Sequence, residues 1–382
     1  MERGYGMKTI VKWIAVVVWM FMAGSAYSAE PILIGHVASL TGMYSNVGKE
    51  MAFAINMAVE EINQKGGVLG RPLKVVQEDD ETSPAVATRM AEKMILQDKV
   101  NFLIGTASSG VTLALMEVAN KHKKVLMSPI SQSIDITGSK KNKYTFRTCA
   151  NPELTSAYLA KYMVQNLGKK VYLLTADYAW GRSTSEQYRK RIPESGGEVI
   201  GETFFPLGTK DFSLYFGKIK AAKPDVLFVA AASNDAISAV NQISQYGLKK
   251  MMKVCGDGSL ISNDALSAQG KDADGIITVD YYSPGIDTPE NKTFVEKFQE
   301  RSKMSAGKFS VTTYESIYWL AQAIGKAGSI DSDKVVAALE GSSFSGPQGP
   351  KTMRTEDHQT LMNFYYMKAQ DGKLVIFDKA GQ

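Results

Sequence analysis

The chain has 382 residues, 44% hydrophobic and 22% charged, with 44 Lys and Arg against 39 Asp and Glu for a formal net charge of +5. That excess is too mild, and the acids and bases too dispersed, for a surface that tracks phosphates, which excludes nucleic acid as a partner. Three scattered His and two Cys without a nearby His are too few for a metal site, and no cofactor is expected.

The first 28 residues read as an export leader. Lys8 and Lys12 precede an apolar run from Trp13 to Ala23, and Ala26 and Ser28 supply the small residues of a cleavage site after Ser28. The run falls short of the ~20 residues that span a bilayer. Removing the leader takes away Arg3, Lys8, Lys12 and Glu2, leaving 41 basic against 38 acidic residues and a net charge of +3. No Cys follows the apolar core, so the expectation is a soluble protein of a bacterial periplasm. Cys149 and Cys255 are expected as free buried thiols, although that compartment permits a disulfide. The remaining length of about 354 residues suits two lobes.

From Pro31 onward, apolar strand runs alternate with amphipathic helical stretches, the pattern of parallel α/β layers. The first series predicts a strand at Ile32–Val37, a helix over 49–64 ended by Gly66-Gly67, a strand at Leu73–Gln77 and a helix opened by Ser83-Pro84. A strand at 100–104, a helix after Gly110 and a strand at 125–128 complete it. The second series predicts strands at 170–175, 198–205, 226–230, 252–255 and 276–279, with helices after Gly181, Asp211 and Asp235. Helices are then expected over 289–302 and 312–326, followed by one capped by Ser332. Ser345–Pro350 reads as an extended linker, because proline disfavours helix in the residue before it. Asp371-Gly372 joins two strand runs as a hairpin, since both residues tolerate positive φ.

The turn Gly105-Thr106-Ala107-Ser108-Ser109-Gly110, between a strand and a helix, is a candidate anion site. The first amides of a helix lack intrahelical partners, and Ser108 and Ser109 add hydroxyl donors. Capping of a helix beginning at Val111 is the competing reading. Asp257, between two glycines beyond a strand end, can accept from an ammonium or simply bond its own loop. Tyr178 and Trp180 follow another strand end, where side chains face a crevice, with ordinary packing as the competing reading, and Tyr44 lies in the turn after the first strand, within reach of the cleft or on the surface. A serine hydrolase using Ser108 or Ser109 is the rival from another class. It lacks the G-x-S-x-G elbow and a recognisable His partner.

Taken in order, several segments carry a resemblance: Ile34-Gly35 through Gly42 with Gly48, Glu61–Arg71, Asp79-Asp80, Gly105–Ser109, Asp177–Gly181 and Thr313-Tyr314-Glu315. With them the chain resembles the periplasmic solute-binding proteins of ATP-driven (ABC) transporters, of the branched-chain (Leu/Ile/Val) amino acid type. The resemblance implies an α/β fold of two doubly wound parallel-sheet lobes joined by three crossover segments, the type I periplasmic binding protein fold. It assigns 31–147 plus 281–349 to one lobe and 148–280 plus 350–382 to the other. It implies no catalysis, a small-molecule ligand in the interlobe cleft and a cognate ABC permease in the inner membrane. The ligand carboxylate is implied at Ser109 and the loop Ile130-Ser131-Gln132, its amino group at Asp257, and aromatic walls at Trp180 and Phe309. Gln132, Ala232 and Asp257 depart from the residues common in Leu/Ile/Val binders, which leaves room for another hydrophobic or aromatic amino acid, an amide or an aromatic carboxylate.

Overall fold

The computed structural model describes residues 30–380; the expected leader lies outside the described residues. β1 (Ile32–Ala38), β2 (Leu73–Asp79), β3 (Phe102–Gly105), β4 (Leu126–Ser128) and β5 (Thr145–Arg147) form a parallel sheet in the order β2-β1-β3-β4-β5. Parallel neighbours need crossovers, and α1 (Ser45–Gln64), α2 (Pro84–Leu96) and α3 (Ser109–Lys121) supply them. Both faces of this sheet are covered. Phe102 and Ile104 join one apolar cluster while Leu103, between them, joins the other, which is why β3 reads as an unbroken apolar run.

The second half repeats the winding. α4 (Pro152–Asn166) leads into β6 (Lys170–Ala176), α5 (Ala179–Glu194), β7 (Glu198–Phe205), α6 (Ser213–Ala222) and β8 (Val226–Ala230). Then come α7 (Ser233–Gln245), β9 (Lys253–Gly256), α8 (Asn263–Gln269) and β10 (Ile277–Asp280). The strand order β7-β6-β8-β9-β10 matches that of the first sheet. The chain next returns to the first sheet with α9 (Pro289–Ser302), α10 (Lys308–Ala327) and α11 (Ser332–Leu339), of which α10 packs on α1. β11 (Ser343–Gly346), β12 (Gly349–Met353) and β13 (Thr360–Leu361) make a small antiparallel sheet. β14 (Phe364–Gln370) and β15 (Lys373–Ala380) then extend the second sheet as the expected hairpin, with Asp371 and Gly372 at φ 51° and 69°.

Four local expectations need correction. Residues 345–350 are a hairpin rather than a linker, because Glu315 accepts from the Gln348 amide at 2.8 Å and pairs with Lys351, both side chains fully buried. Met353 consequently packs beneath the first sheet, whereas 350–361 were expected with the second half. Asp331, not Ser332, caps α11 through the Lys334 amide. α4 was not anticipated, although Asn151 caps it by accepting from the Leu154 amide at 3.0 Å. Cys149 and Cys255 are free and buried, as expected.

Candidate functional site

In each sheet the winding reverses direction once, between β1 and β3 in the first and between β6 and β8 in the second. Loops leaving neighbouring strands on either side of such a point diverge and open a crevice at the carboxyl ends. The two crevices face each other across one shared, partly open cavity. Tyr44 follows β1, Ser109 follows β3, and Ile130 and Gln132 follow β4. Tyr178 and Trp180 follow β6, and Phe309 lies in the first turn of α10; all seven line the cavity.

Two glycines let the helices start this close to the strand ends. A Cβ at Gly48 would lie 2.0 Å from the Ser39 carbonyl oxygen, and one at Gly181 would lie 1.9 Å from that of Ala176. The aromatics just before them, Tyr44 and Trp180, are thereby set at the cavity wall.

The Ser109 hydroxyl oxygen accepts from the Ser133 amide at 3.1 Å. Its proton therefore remains to be donated, and the amides of the first turn of α3 have no intrahelical acceptor. Ser108 occupies the cap position, yet its side chain makes no capping bond and does not line the cavity. Ser131 also lies behind the wall, donating to the Thr106 carbonyl at 2.8 Å and meeting Thr112 Oγ1 at 2.6 Å, so it braces the loop.

Asp257 is buried, and its Oδ1 accepts from the Ser259 amide at 2.9 Å, the local turn bond that a loop aspartate favours. Its Oδ2 is buried with no hydrogen-bond partner among the described residues. Asp257 itself is off the wall, where Ser259 stands instead. Gln132 Oε1 and Trp180 Nε1 are likewise buried without partners. Behind Ser259, Lys308 donates to its hydroxyl at 3.2 Å and to Asp280 at 2.8 Å, a buried ion pair.

The halves touch across the cavity. Tyr44 and Tyr178 share a hydroxyl hydrogen bond of 2.5 Å, Ser233 donates to the Met43 carbonyl at 3.2 Å, and the Ile134 amide donates to Ser183 at 3.4 Å. Burial raises both phenols above their ordinary range, so both are neutral. Asp235, two residues into α7, accepts from the Gly208 amide with both oxygens, and burial pushes its carboxyl up to about 6.

Val47, Ala107, Ala232 and Ser259 complete the lining; Ala232 is the position noted above as departing from Leu/Ile/Val binders, and the other three were not anticipated as contacts. Ala107 lay in the turn already singled out, and Ser259 stands two residues beyond Asp257 in the same glycine-flanked loop. Val47 carried no signal of its own. None of the three His pairs with Ser108 or Ser109: His36 bonds Gln77, His122 bonds Glu92, and His358 bonds Glu340 and the Thr145 carbonyl. A Ser-His hydrolase has no base here. Among the described residues, no group of three or more His, Cys, Asp or Glu is arranged to hold a metal ion.

Known proteins share this fold. The chain is 27% identical over 364 residues to the Leu/Ile/Val-binding protein homolog 2 of Brucella abortus, covering 94% of this chain and 96% of that protein. The solute-binding protein of an ABC transporter from Rhodopseudomonas palustris BisB5, solved with 3,4-dihydroxybenzoic acid, superposes with a TM-score of 0.86 at 28% identity. The match covers 92% of this chain and 97% of that one. An amino acid ABC transporter substrate-binding protein from Pseudomonas fluorescens Pf-5 superposes at 0.84 with 26% identity, covering 93% and 97%. The two-lobed α/β fold is that of type I periplasmic binding proteins. Residues 31–373 match the family described as Periplasmic binding protein. The chain belongs to that family, whose members capture solutes and are not enzymes.

Proposed function

We propose that the protein is the extracytoplasmic solute-binding subunit of an ABC importer, capturing a branched-chain or other hydrophobic amino acid between its lobes and delivering it to an inner-membrane permease. The observation that carries the amino acid is Asp257 Oδ2, a buried carboxylate oxygen with no donor of its own. An α-ammonium would supply that donor, while the ligand carboxylate takes the Ser109 hydroxyl and the first-turn amides of α3. Each charge-assisted bond is worth roughly 1.5–3 kcal/mol. The apolar part would lie among Val47, Ile130, Trp180 and Phe309. The lobes close about the crossovers near residues 148, 281 and 362, and removal of residues 1–28 on export belongs to the same reading.

A second reading, an aromatic carboxylate or amide, is favoured by a different observation: no Asp or Glu side chain stands on the cavity wall itself. The Rhodopseudomonas neighbour, solved with an aromatic acid, gives it further support. Calorimetric titration with leucine, isoleucine, valine, phenylalanine, benzoate and 3,4-dihydroxybenzoate separates the two. Asp257→Asn is expected to weaken amino acids about 10- to 100-fold and to spare acids without an ammonium. Binding of none of these solutes by the wild type would remove both readings.

A further inference from the structure

Arg147, the last residue of β5, is fully buried, and no Asp or Glu accepts from it among the described residues. Its Nε donates to Gln359 Oε1 at 2.6 Å, one terminal nitrogen to the Ser133 carbonyl and the other to Thr137 Oγ1. All three acceptors are neutral. Asp357 and Glu153 act on the guanidinium only through space, and Arg354 opposes them. Burying a cation against neutral partners is costly, and burial pushes Arg147 down to about 10. A fork with donors in three directions suits this place, and lysine cannot reproduce it.

The contacts tie β5 to two other segments, the loop after β4 through Ser133 and Thr137 and the chain before β13 through Gln359. Arg147 itself begins the first crossover, and Gln359 precedes the third. Gln359 Nε2 continues to the Cys149 carbonyl at 2.8 Å, while Thr360 Oγ1 returns to the Arg147 carbonyl at 2.8 Å. Ser133 is the link to the cavity: its carbonyl takes the guanidinium, and its amide donates to the Ser109 hydroxyl oxygen at 3.1 Å. One residue is thus held from the hinge side and in turn sets the orientation of a hydroxyl on the cavity wall.

We propose that Arg147 is the positioning residue for the anion end of the cleft: it fixes Ser133 so that the Ser109 hydroxyl points at the ligand, and its un-neutralised charge biases that end toward a carboxylate. This rests on the reading that a ligand carboxylate sits at Ser109. A residue that only held the crossovers together would affect acids and their neutral amides alike, whereas this role sets the ratio between them.

The test measures affinities for leucine against leucinamide and benzoate against benzamide, in the wild type, Arg147→Gln, Arg147→Lys and Gln359→Glu. Arg147→Gln is expected to reduce the preference for acid over amide about tenfold or more, with Arg147→Lys recovering part of it. Gln359→Glu sets a carboxylate against Arg147 Nε while giving up the Nε2 donor to the Cys149 and Thr360 carbonyls, and is expected to reduce the preference; Arg147→Lys, which keeps a cation in place, keeps the idea testable if either of the other two fails to fold. Acid and amide weakened equally, or a preference unchanged in Gln359→Glu, overturns the proposal. A wild type that binds neither acid sinks the carboxylate reading instead.

Discussion

Tyr44→Phe tests whether the contact between the halves contributes to ligand affinity. The Tyr44 and Tyr178 hydroxyls meet at 2.5 Å, and Phe at position 44 leaves the Tyr178 hydroxyl in the closed cleft without that partner. The net bond is worth roughly 0.5–1.5 kcal/mol, and a buried hydroxyl left unpaired costs about 1–3 kcal/mol. Neither charge applies to an open cleft, where water solvates Tyr178. The closed form alone is therefore destabilised, by roughly 1–3 kcal/mol, and a ligand that binds only on closure loses about 5- to 150-fold in affinity. Titration of wild type, Tyr44→Phe, Tyr178→Phe and the double variant completes the cycle. The double variant orphans no hydroxyl, so it is expected to bind better than the two single losses predict when added. Strictly additive losses, or a Tyr44→Phe protein within twofold of wild type, would refute the claim that this bond holds the cleft shut.

Two further outcomes follow from the same region. Asp235 has a carboxyl raised to about 6 by burial, against an ordinary value near 3.8, so its ionised form is penalised in the fold. Its contribution to stability is full below the unfolded value and is lost as pH rises through 6. Asp235→Asn is expected to gain up to ~3 kcal/mol over wild type at pH 7 and to lose that advantage towards pH 4, read as the difference in melting temperature across the range. Gly181→Ala places a methyl 1.9 Å from the Ala176 carbonyl oxygen, where backbone must move, and is expected to destabilise by at least ~1–3 kcal/mol in urea unfolding. Unchanged stability would mean that α5 can slide without cost.

The alternating strands and helices were legible because both sheets are covered on two faces, which turns each central strand into a short unbroken apolar run. Proline and capping residues marked several helix starts as well, Ser83-Pro84 and Pro289 among them. α4 escaped because buried Thr155 and Ser156 interrupt its apolar stripe. The hairpin at Ser343–Met353 escaped for a different reason: its anchor, Glu315, lies on a helix about 30 residues away in sequence, and no local pattern announces that contact. Within the site, residues just beyond strand ends were readable from position alone, as with Tyr44 and Trp180. The direction of a side chain was not. Asp257 and Ser259 share one turn, and in it the serine lines the cavity while the aspartate, off the wall, accepts from the Ser259 amide.

The distribution of polar groups between the halves explains why capture and closure can be a single event. Ser109, Gln132 and the first turn of α3 belong to the first half, whereas Trp180, Ser259 and the free oxygen of Asp257 belong to the second. On the proposed reading, a carboxylate resting on the first half alone leaves the buried needs of the second unmet. A solute with a donor at its far end lowers the energy of the closed form specifically, and only such a solute shifts the equilibrium by its full interaction. A simple acid of the same size then has to gain its closing energy from apolar contact with Trp180 and Phe309. The two ligand classes are accordingly expected to differ in how far they compact the protein at saturation, a difference that small-angle scattering reads directly. Equal compaction by leucine and benzoate would mean that Asp257 has no part in closing the cleft.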